Sequence, residues 1–210
     1  MNMRCFVGLD LPVQTKLALA DWRQRALPEV SSRDALPMPA AKAKIKARPN
    51  QPARPVAVPT ANLHITLGFL GQINHRQHEA VMATLSEVQQ EPFALALDTT
   101  GVWSGPKILF CAPETPPAPL IDLARQVRKA ARLAGIEMES REYRPHVTMI
   151  RKASATLPPP LFTPQIEATF NQFHLFESVS SPQGVSYPIR HSWPLIPNLS
   201  VRERLKRGLA

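Results

Sequence analysis

Two short segments carry the residues best suited to chemistry. Leu63-His64-Ile65-Thr66-Leu67 recurs later in the chain as Pro145-His146-Val147-Thr148-Met149, so a His-x-Thr triplet occurs twice. Along an extended strand, side chains alternate between the two faces. His64 and Thr66 therefore project together, as do His146 and Thr148, while Ile65 and Val147 point the other way into a core. If the two halves of the chain pack with approximate two-fold symmetry, two imidazoles and two hydroxyls face one another across a cleft. That set suits in-line displacement at phosphorus. One neutral imidazole takes a proton from the attacking oxygen and the other, as imidazolium, gives one to the leaving oxygen. The threonine hydroxyls can donate hydrogen bonds to the non-bridging oxygens as charge builds on them. Arg151, shortly after Thr148, can add a cationic contact to the phosphate. A single His-x-Thr on a strand is ordinarily structural; the repetition is what points to chemistry.

The remaining titratable and aromatic residues take plainer readings. His75 and His78 form an H-x-x-H on an expected helix, which by itself falls short of a metal set, so no metal is expected. His174 and His191 lie on late strands and read as structural. Phe6 and Trp103 read as core packing, whereas Tyr143, beside the second triplet, and Tyr187, in the closing strand, could stack on a base. Cys5 and Cys111 sit in apolar strand-like stretches without metal-ligand spacing and read as buried, reduced thiols.

The elements that must hold the two triplets follow from periodicity. Cys5 to Leu11 reads as a strand closed by Pro12, and Val13 to Ala26 as a helix. Asn62 to Leu70 alternates cleanly, His75 to Gln90 is helix-like, Phe93 to Val102 alternates again, and Ile108 to Ala112 is a short strand. Pro119 to Leu133 spaces apolar residues as a helix that stops near Gly135. Pro145 to Ile150 is the second triplet's strand, Ser154 to Pro164 a Pro-rich loop, and Ile166 to Glu177 and Val185 to Leu195 two long paired strands. Few helices and many hairpin-like neighbours predict an α+β fold with antiparallel sheets.

With 44% hydrophobic and 20% charged residues the 210-residue chain has globular composition, and its 23 prolines set beside 8 glycines exclude collagen and wholesale disorder. The net charge of +9 invites an RNA partner, but its location matters more than its sum. Arg33, Lys42, Lys44, Lys46, Arg48 and Arg54 stand against Asp34 alone, and Arg202, Arg204, Lys206 and Arg207 against Glu203, so basicity belongs to a Pro-rich segment and a tail. The longest apolar runs, such as Cys5 to Leu9, are strand-sized, far short of the roughly 18 residues of a membrane span. The stretch between Arg4 and Asp10 is too short for a secretory signal, so no membrane association and a cytoplasmic location are expected.

Asn62-Leu63-His64-Ile65-Thr66-Leu67-Gly68-Phe69-Leu70-Gly71 resembles the first motif of the two-histidine (2H) phosphoesterase superfamily, and Arg144-Pro145-His146-Val147-Thr148-Met149-Ile150-Arg151 resembles the second. The opening Arg4 to Pro12 and the closing Tyr187 to Leu195 extend the likeness to the bacterial RNA 2′,3′-cyclic phosphodiesterase family, historically called 2′-5′ RNA ligase. The resemblance implies a bilobed α+β domain over residues 1–196, with two antiparallel-rich sheets, flanking helices and pseudo-two-fold symmetry around a central cleft. A basic insertion at about 35–58 and a basic tail at 197–210 depart from the family pattern. It implies no metal and no cofactor, with His64 as general acid, His146 as general base, and Thr66 and Thr148 on the phosphate. The implied partner is RNA ending in a 2′,3′-cyclic phosphate, such as a tRNA fragment or a short oligonucleotide, taken up by a monomer and hydrolysed to a 2′-phosphate or joined 2′-5′ without ATP. The residues leave two further readings open: a phosphoesterase acting on a small cyclic nucleotide, and a non-catalytic RNA-binding module.

Overall fold

The computed structural model describes residues 2–30, 55–153, 157–182 and 184–196. The expected tail and nearly all of the expected insertion lie outside them. Cys5 to Leu9 are buried without interruption, a pattern that requires cover on both faces, and β1 (Met3–Asp10) is accordingly an inner strand. Its neighbours are β3 (His64–Ile73) on one side and β9 (Gln172–Glu177) on the other, both antiparallel. Pro12 ends the strand, and α1 (Val13–Ala26) buries the stripe Thr15, Leu19, Trp22 and Ala26 at helical spacing.

The remaining strands are β2 (Val56–Ala57), β4 (Phe93–Leu97), β5 (Thr99–Trp103), β6 (Ile108–Ala112), β7 (Val147–Arg151), β8 (Ile166–Phe170), β10 (Val179–Ser181), β11 (Gly184–Ser186) and β12 (Ile189–Pro194). An eight-stranded sheet runs in the order β12-β9-β1-β3-β7-β6-β5, with β2 pairing beside β7, and β4-β8 and β10-β11 form two smaller antiparallel sheets. The expected α+β, antiparallel-rich architecture is the one found. Three expected strands are each divided, Val185 to Leu195 at Tyr187 and Pro188, where β11 pairs β10 and β12 joins the large sheet. Phe93 to Val102 breaks at Asp98, whose carboxylate accepts from the Glu114 amide at 2.7 Å, and β4 and β5 go to different sheets. Ile166 to Glu177 breaks at Asn171, β8 pairing β4 while β9 joins the large sheet.

Two more helices pack together, α2 (His75–Ser86) and α3 (Ala118–Leu133), with α3 against β3. Asn74 and Gln77 close α2 with a reciprocal capping box. Gly135, at φ 75°, ends α3: its amide bonds Arg132 O and that of Ile136 bonds Ala131 O, the two bonds of a Schellman motif. Both cysteines are free and buried. Among the described residues no helix is long and apolar enough to cross a membrane.

The two halves of the large sheet join where β3 meets β7, at the single residue pair Ile65 and Val147. Beyond it β3 turns away and β2 takes over the edge of β7, pairing Val56 with Arg151 and Ala57 with Ile150.

Candidate active site

The seam carries both triplets. Ile65 and Val147 are directly opposite and fully buried, so their neighbours in each strand, His64, Thr66, His146 and Thr148, turn to the other face together. Carried one step either way, the antiparallel register sets His64 across from Thr148 and Thr66 across from His146.

Each imidazole is anchored in the same way. His64 Nδ1 lies 2.7 Å from Asn62 O, and His146 Nδ1 lies 2.8 Å from Arg144 O. A carbonyl only accepts, so in each ring Nδ1 carries the proton and donates it, and Nε2 is left with its lone pair. His64 Nε2 is 3.1 Å from Thr66 Oγ1, whose hydroxyl donates to it.

Aromatic rings wall both sides. Phe6, Tyr187 and Phe176 surround His64 with centroids at 4.8, 5.1 and 5.8 Å. His146 meets the edges of Trp103 and Phe110 at 4.6 and 5.7 Å. Close approach at two glycines permits these walls. A Cβ on Gly8 would stand 2.7 Å from Ile65 O, and one on Gly101 would stand 2.5 Å from the Phe110 ring. Phe6 is buried as expected, but it packs on the His64 ring, and Trp103 is half-exposed beside His146 rather than in the core.

Burial in this apolar setting disfavours the imidazolium. It lowers His64 to about 4, a shift opposed by the Asn62 carbonyl and by Asp10 and reinforced by the charges of Arg151 and His146. His146 is lowered by the same cause, opposed by the Arg144 carbonyl. Both rings are therefore neutral in the free protein near neutral pH. Arg151 also reaches Tyr187, with Nη2 3.5 Å from its hydroxyl.

A pocket of about 470 Å³ opens beside Thr66 and His146 and continues past Trp103, Met138, Arg141 and Tyr143. Tyr143 offers its ring to this pocket, but its hydroxyl is buried without a hydrogen-bond partner among the described residues, and burial raises its pKa. His174 is buried, with Nδ1 2.8 Å from Ser192 Oγ, and His191 packs edge-on to Trp193. His75 is exposed and meets Glu79 at 3.6 Å. Among the described residues no group of three His, Cys, Asp or Glu side chains could hold a metal ion. Sequence reasoning missed Phe110, Phe176 and the two anchoring carbonyls, and no residue type marks the last, since every residue carries a backbone carbonyl.

A family model described as "LigT like Phosphoesterase" matches residues 33–110 and again residues 109–187, one triplet in each match. The chain belongs to the LigT-like phosphoesterase family. This phosphoesterase is 29% identical over 194 residues to the RNA 2′,3′-cyclic phosphodiesterase of Escherichia coli (strain K12), spanning 91% of this chain and 96% of that protein. It is 33% identical over 94 residues to the protein of the same name from Bacillus subtilis (strain 168), 42% of this chain and 51% of the relative. Among solved structures, E. coli LigT complexed with 3′-AMP superposes with a TM-score of 0.75 at 27% identity, covering 93% of this chain and 99% of that one. TT0787 of Thermus thermophilus, at 23% identity and a TM-score of 0.69 over 92% of this chain and 98% of its own, shares the fold.

Proposed function

We propose that this phosphoesterase opens the terminal 2′,3′-cyclic phosphate of RNA to a 2′-phosphate, with His64 and His146 as its acid and base and without a metal ion. The observation that carries the reading is the matched anchoring of the two imidazoles. Each Nδ1 is tied to a carbonyl two residues back, on strands whose register turns both rings to one face. His146 Nε2 takes a proton from water as its oxygen attacks phosphorus, and His64 gives a proton to O3′ as the P–O3′ bond breaks. Thr66, Thr148 and Arg151 receive the charge that builds on the non-bridging oxygens. The anionic phosphate, arriving between two rings that burial keeps neutral, draws a proton onto one of them. A 5′-hydroxyl in place of water yields a 2′-5′ linkage by the same steps, and the reverse reaction exchanges the two roles. The reading includes a monomer acting in the cytoplasm.

The test is product analysis, by mass spectrometry and phosphorus NMR, of a short RNA ending in a 2′,3′-cyclic phosphate, incubated in chelator with the protein and with His64→Ala and His146→Ala. Conversion to the 2′-phosphate, lost in both variants, is expected. Retained turnover in either variant, or loss of wild-type turnover in chelator, would overturn the mechanism. Preference for a cyclic mononucleotide in direct competition would replace the RNA end by a small substrate.

A further inference from the structure

Among the described residues only two that are not glycine have a left-handed backbone, and both are lysines: Lys107 at φ 54° and Lys152 at φ 56°. Glycine adopts that conformation freely and asparagine or aspartate with little strain, whereas a lysine is strained there through its Cβ. No contact of either side chain offsets the strain. Both residues are exposed, and among the described residues neither ammonium has a hydrogen-bond or ion-pair partner.

The two lysines form one feature. Lys107 closes the turn between β5 and β6, Lys152 follows directly on β7, and the ladder joining β6 to β7 ends with Ile108 opposite Arg151. Just beyond that pair, the amide of buried Ala153 donates to Lys107 O at 2.8 Å, which clamps the two left-handed residues side by side. Arg151, Lys152 and Lys107 therefore stand together at the end of one ladder. Arg151 turns toward the site, where its Nη2 is 3.5 Å from the Tyr187 hydroxyl. Strain of this kind persists where the surrounding fold over-determines it, and at the rim of a site it points to a use for the side chains.

The chemistry of the substrate says which use. Thr148 is the second residue of β7 and Arg151 the last, so the lysines lie past the groups proposed to hold the reacting phosphate, along the same strand. In RNA the nucleoside that bears the cyclic phosphate carries a further anion, the phosphodiester on its 5′ oxygen. A cyclic mononucleotide with a free 5′-hydroxyl has none. Lysine suits that diester, because its ammonium is a compact cation with rotatable donors that meets charge without reading a base. We infer that Lys107 and Lys152 form a subsite for this 5′ phosphodiester and so make the protein prefer an RNA end to a cyclic mononucleotide. The subsite rests on the phosphodiesterase reading and names the group by which polymer is told from monomer.

The experiment compares kcat/KM for three substrates: adenosine 2′,3′-cyclic phosphate with a 5′-hydroxyl, the same compound with a 5′-phosphate, and a dinucleotide ending in that cyclic nucleoside. Wild-type protein is expected to favour the second and third over the first. Lys107→Met and Lys152→Met keep a Cβ and remove the charge, and each is expected to lower that preference about tenfold, the worth of one charge-assisted contact, with turnover of the 5′-hydroxyl compound unchanged. Lys107→Gly and Lys152→Gly are expected to lose the same preference and to raise Tm, because the strain leaves with the Cβ. The preference is a ratio within each protein and does not depend on how much of it is folded. Equal use of the three substrates by the wild type, or an unchanged preference in both methionine variants, would overturn the inference. So would a preference for the 5′-phosphate that the dinucleotide does not share, since a terminal monophosphate would then be the anion recognised. A lowered Tm in both glycine variants would also overturn it, by making the lysines supports of the fold. Absence of turnover with all three substrates would bring down the phosphodiesterase reading itself.

Discussion

Lys16 Nζ stands 2.7 Å from the carboxylate of Asp10, and both belong to the setting of His64 rather than to the helix surface. Asp10 is the register partner of His64 in β1, and the same ammonium also donates to Ala61 O at 3.1 Å, in the turn whose next residue, Asn62, anchors the His64 ring. His146 has only its carbonyl, so the two imidazoles are held alike at Nδ1 but differ in the charges behind them. Replacing Lys16 by Met leaves Asp10 unopposed, and the His64 pKa is expected to rise from about 4, while Asp10→Asn is expected to lower it further. Titration of the His64 ring by NMR reads both signs; shifts in the same direction would refute the arrangement.

The pH profile follows from the two lowered imidazoles. On the proposed acid/base mechanism, activity on free substrate needs one ring protonated and the other neutral, so kcat/KM is expected to peak between their pKa values, from about 4 for His64 to somewhere below the ordinary 6.5 for His146. It is expected to fall as pH rises from 6 to 8, while kcat, measured with anionic phosphate bound, keeps its plateau to higher pH. A kcat/KM maximum above pH 7 would contradict it. The same shifts act on stability. An unfolded chain binds protons at these histidines near pH 6.5 and the folded one only below that, so stability is complete above 6.5 and is lost as pH falls toward 4.

Thr66→Val keeps the shape of the side chain and removes the hydroxyl that donates to His64 Nε2. If, as proposed, this hydroxyl also donates to the phosphate, kcat is expected to fall about a hundredfold. Thr148→Val should match it within the same order if both hydroxyls face the phosphate. A loss confined to KM in either variant would make these threonines binding groups alone.

Gly8→Ala and Gly101→Ala should differ in kind. The new Cβ at residue 8 meets a backbone carbonyl of Ile65, which cannot move without parting β1 from β3 at the seam residue itself. At residue 101 it meets the Phe110 ring, which can tilt at a cost of about 1–3 kcal/mol and disturb the wall of His146. Thermal unfolding should therefore show Gly8→Ala as the more destabilised, with Gly101→Ala folded but impaired in catalysis. The reverse order would mean that the carbonyl is the softer neighbour.

Why the triplets were legible and their surroundings were not is a matter of what alternation encodes. A period of two on a strand with one buried face identifies which side chains travel together, and it places His64 with Thr66 and His146 with Thr148 before any fold is known. It does not say which strands are neighbours. Phe176 reaches His64 from β9, and Phe110 reaches His146 from β6, through pairings between distant parts of the chain. Nor does alternation mark the breaks at Asp98 and Asn171, because the apolar rhythm continues through residues where the backbone leaves one sheet for another. The Asn62 and Arg144 carbonyls are invisible to composition, since every residue has one. The Pro-rich segment at 35–54 lies outside the described residues.

The seam of one residue pair has a consequence for discrimination. Because the separation of the two imidazoles is set by backbone pairing at Ile65 and Val147 and by two carbonyl anchors, it behaves as a fixed calliper and not as an adjustable grip. A calliper measures the object between its jaws and is indifferent to what trails behind it. Selectivity built this way is strict about the geometry at phosphorus and lenient about nucleobase identity.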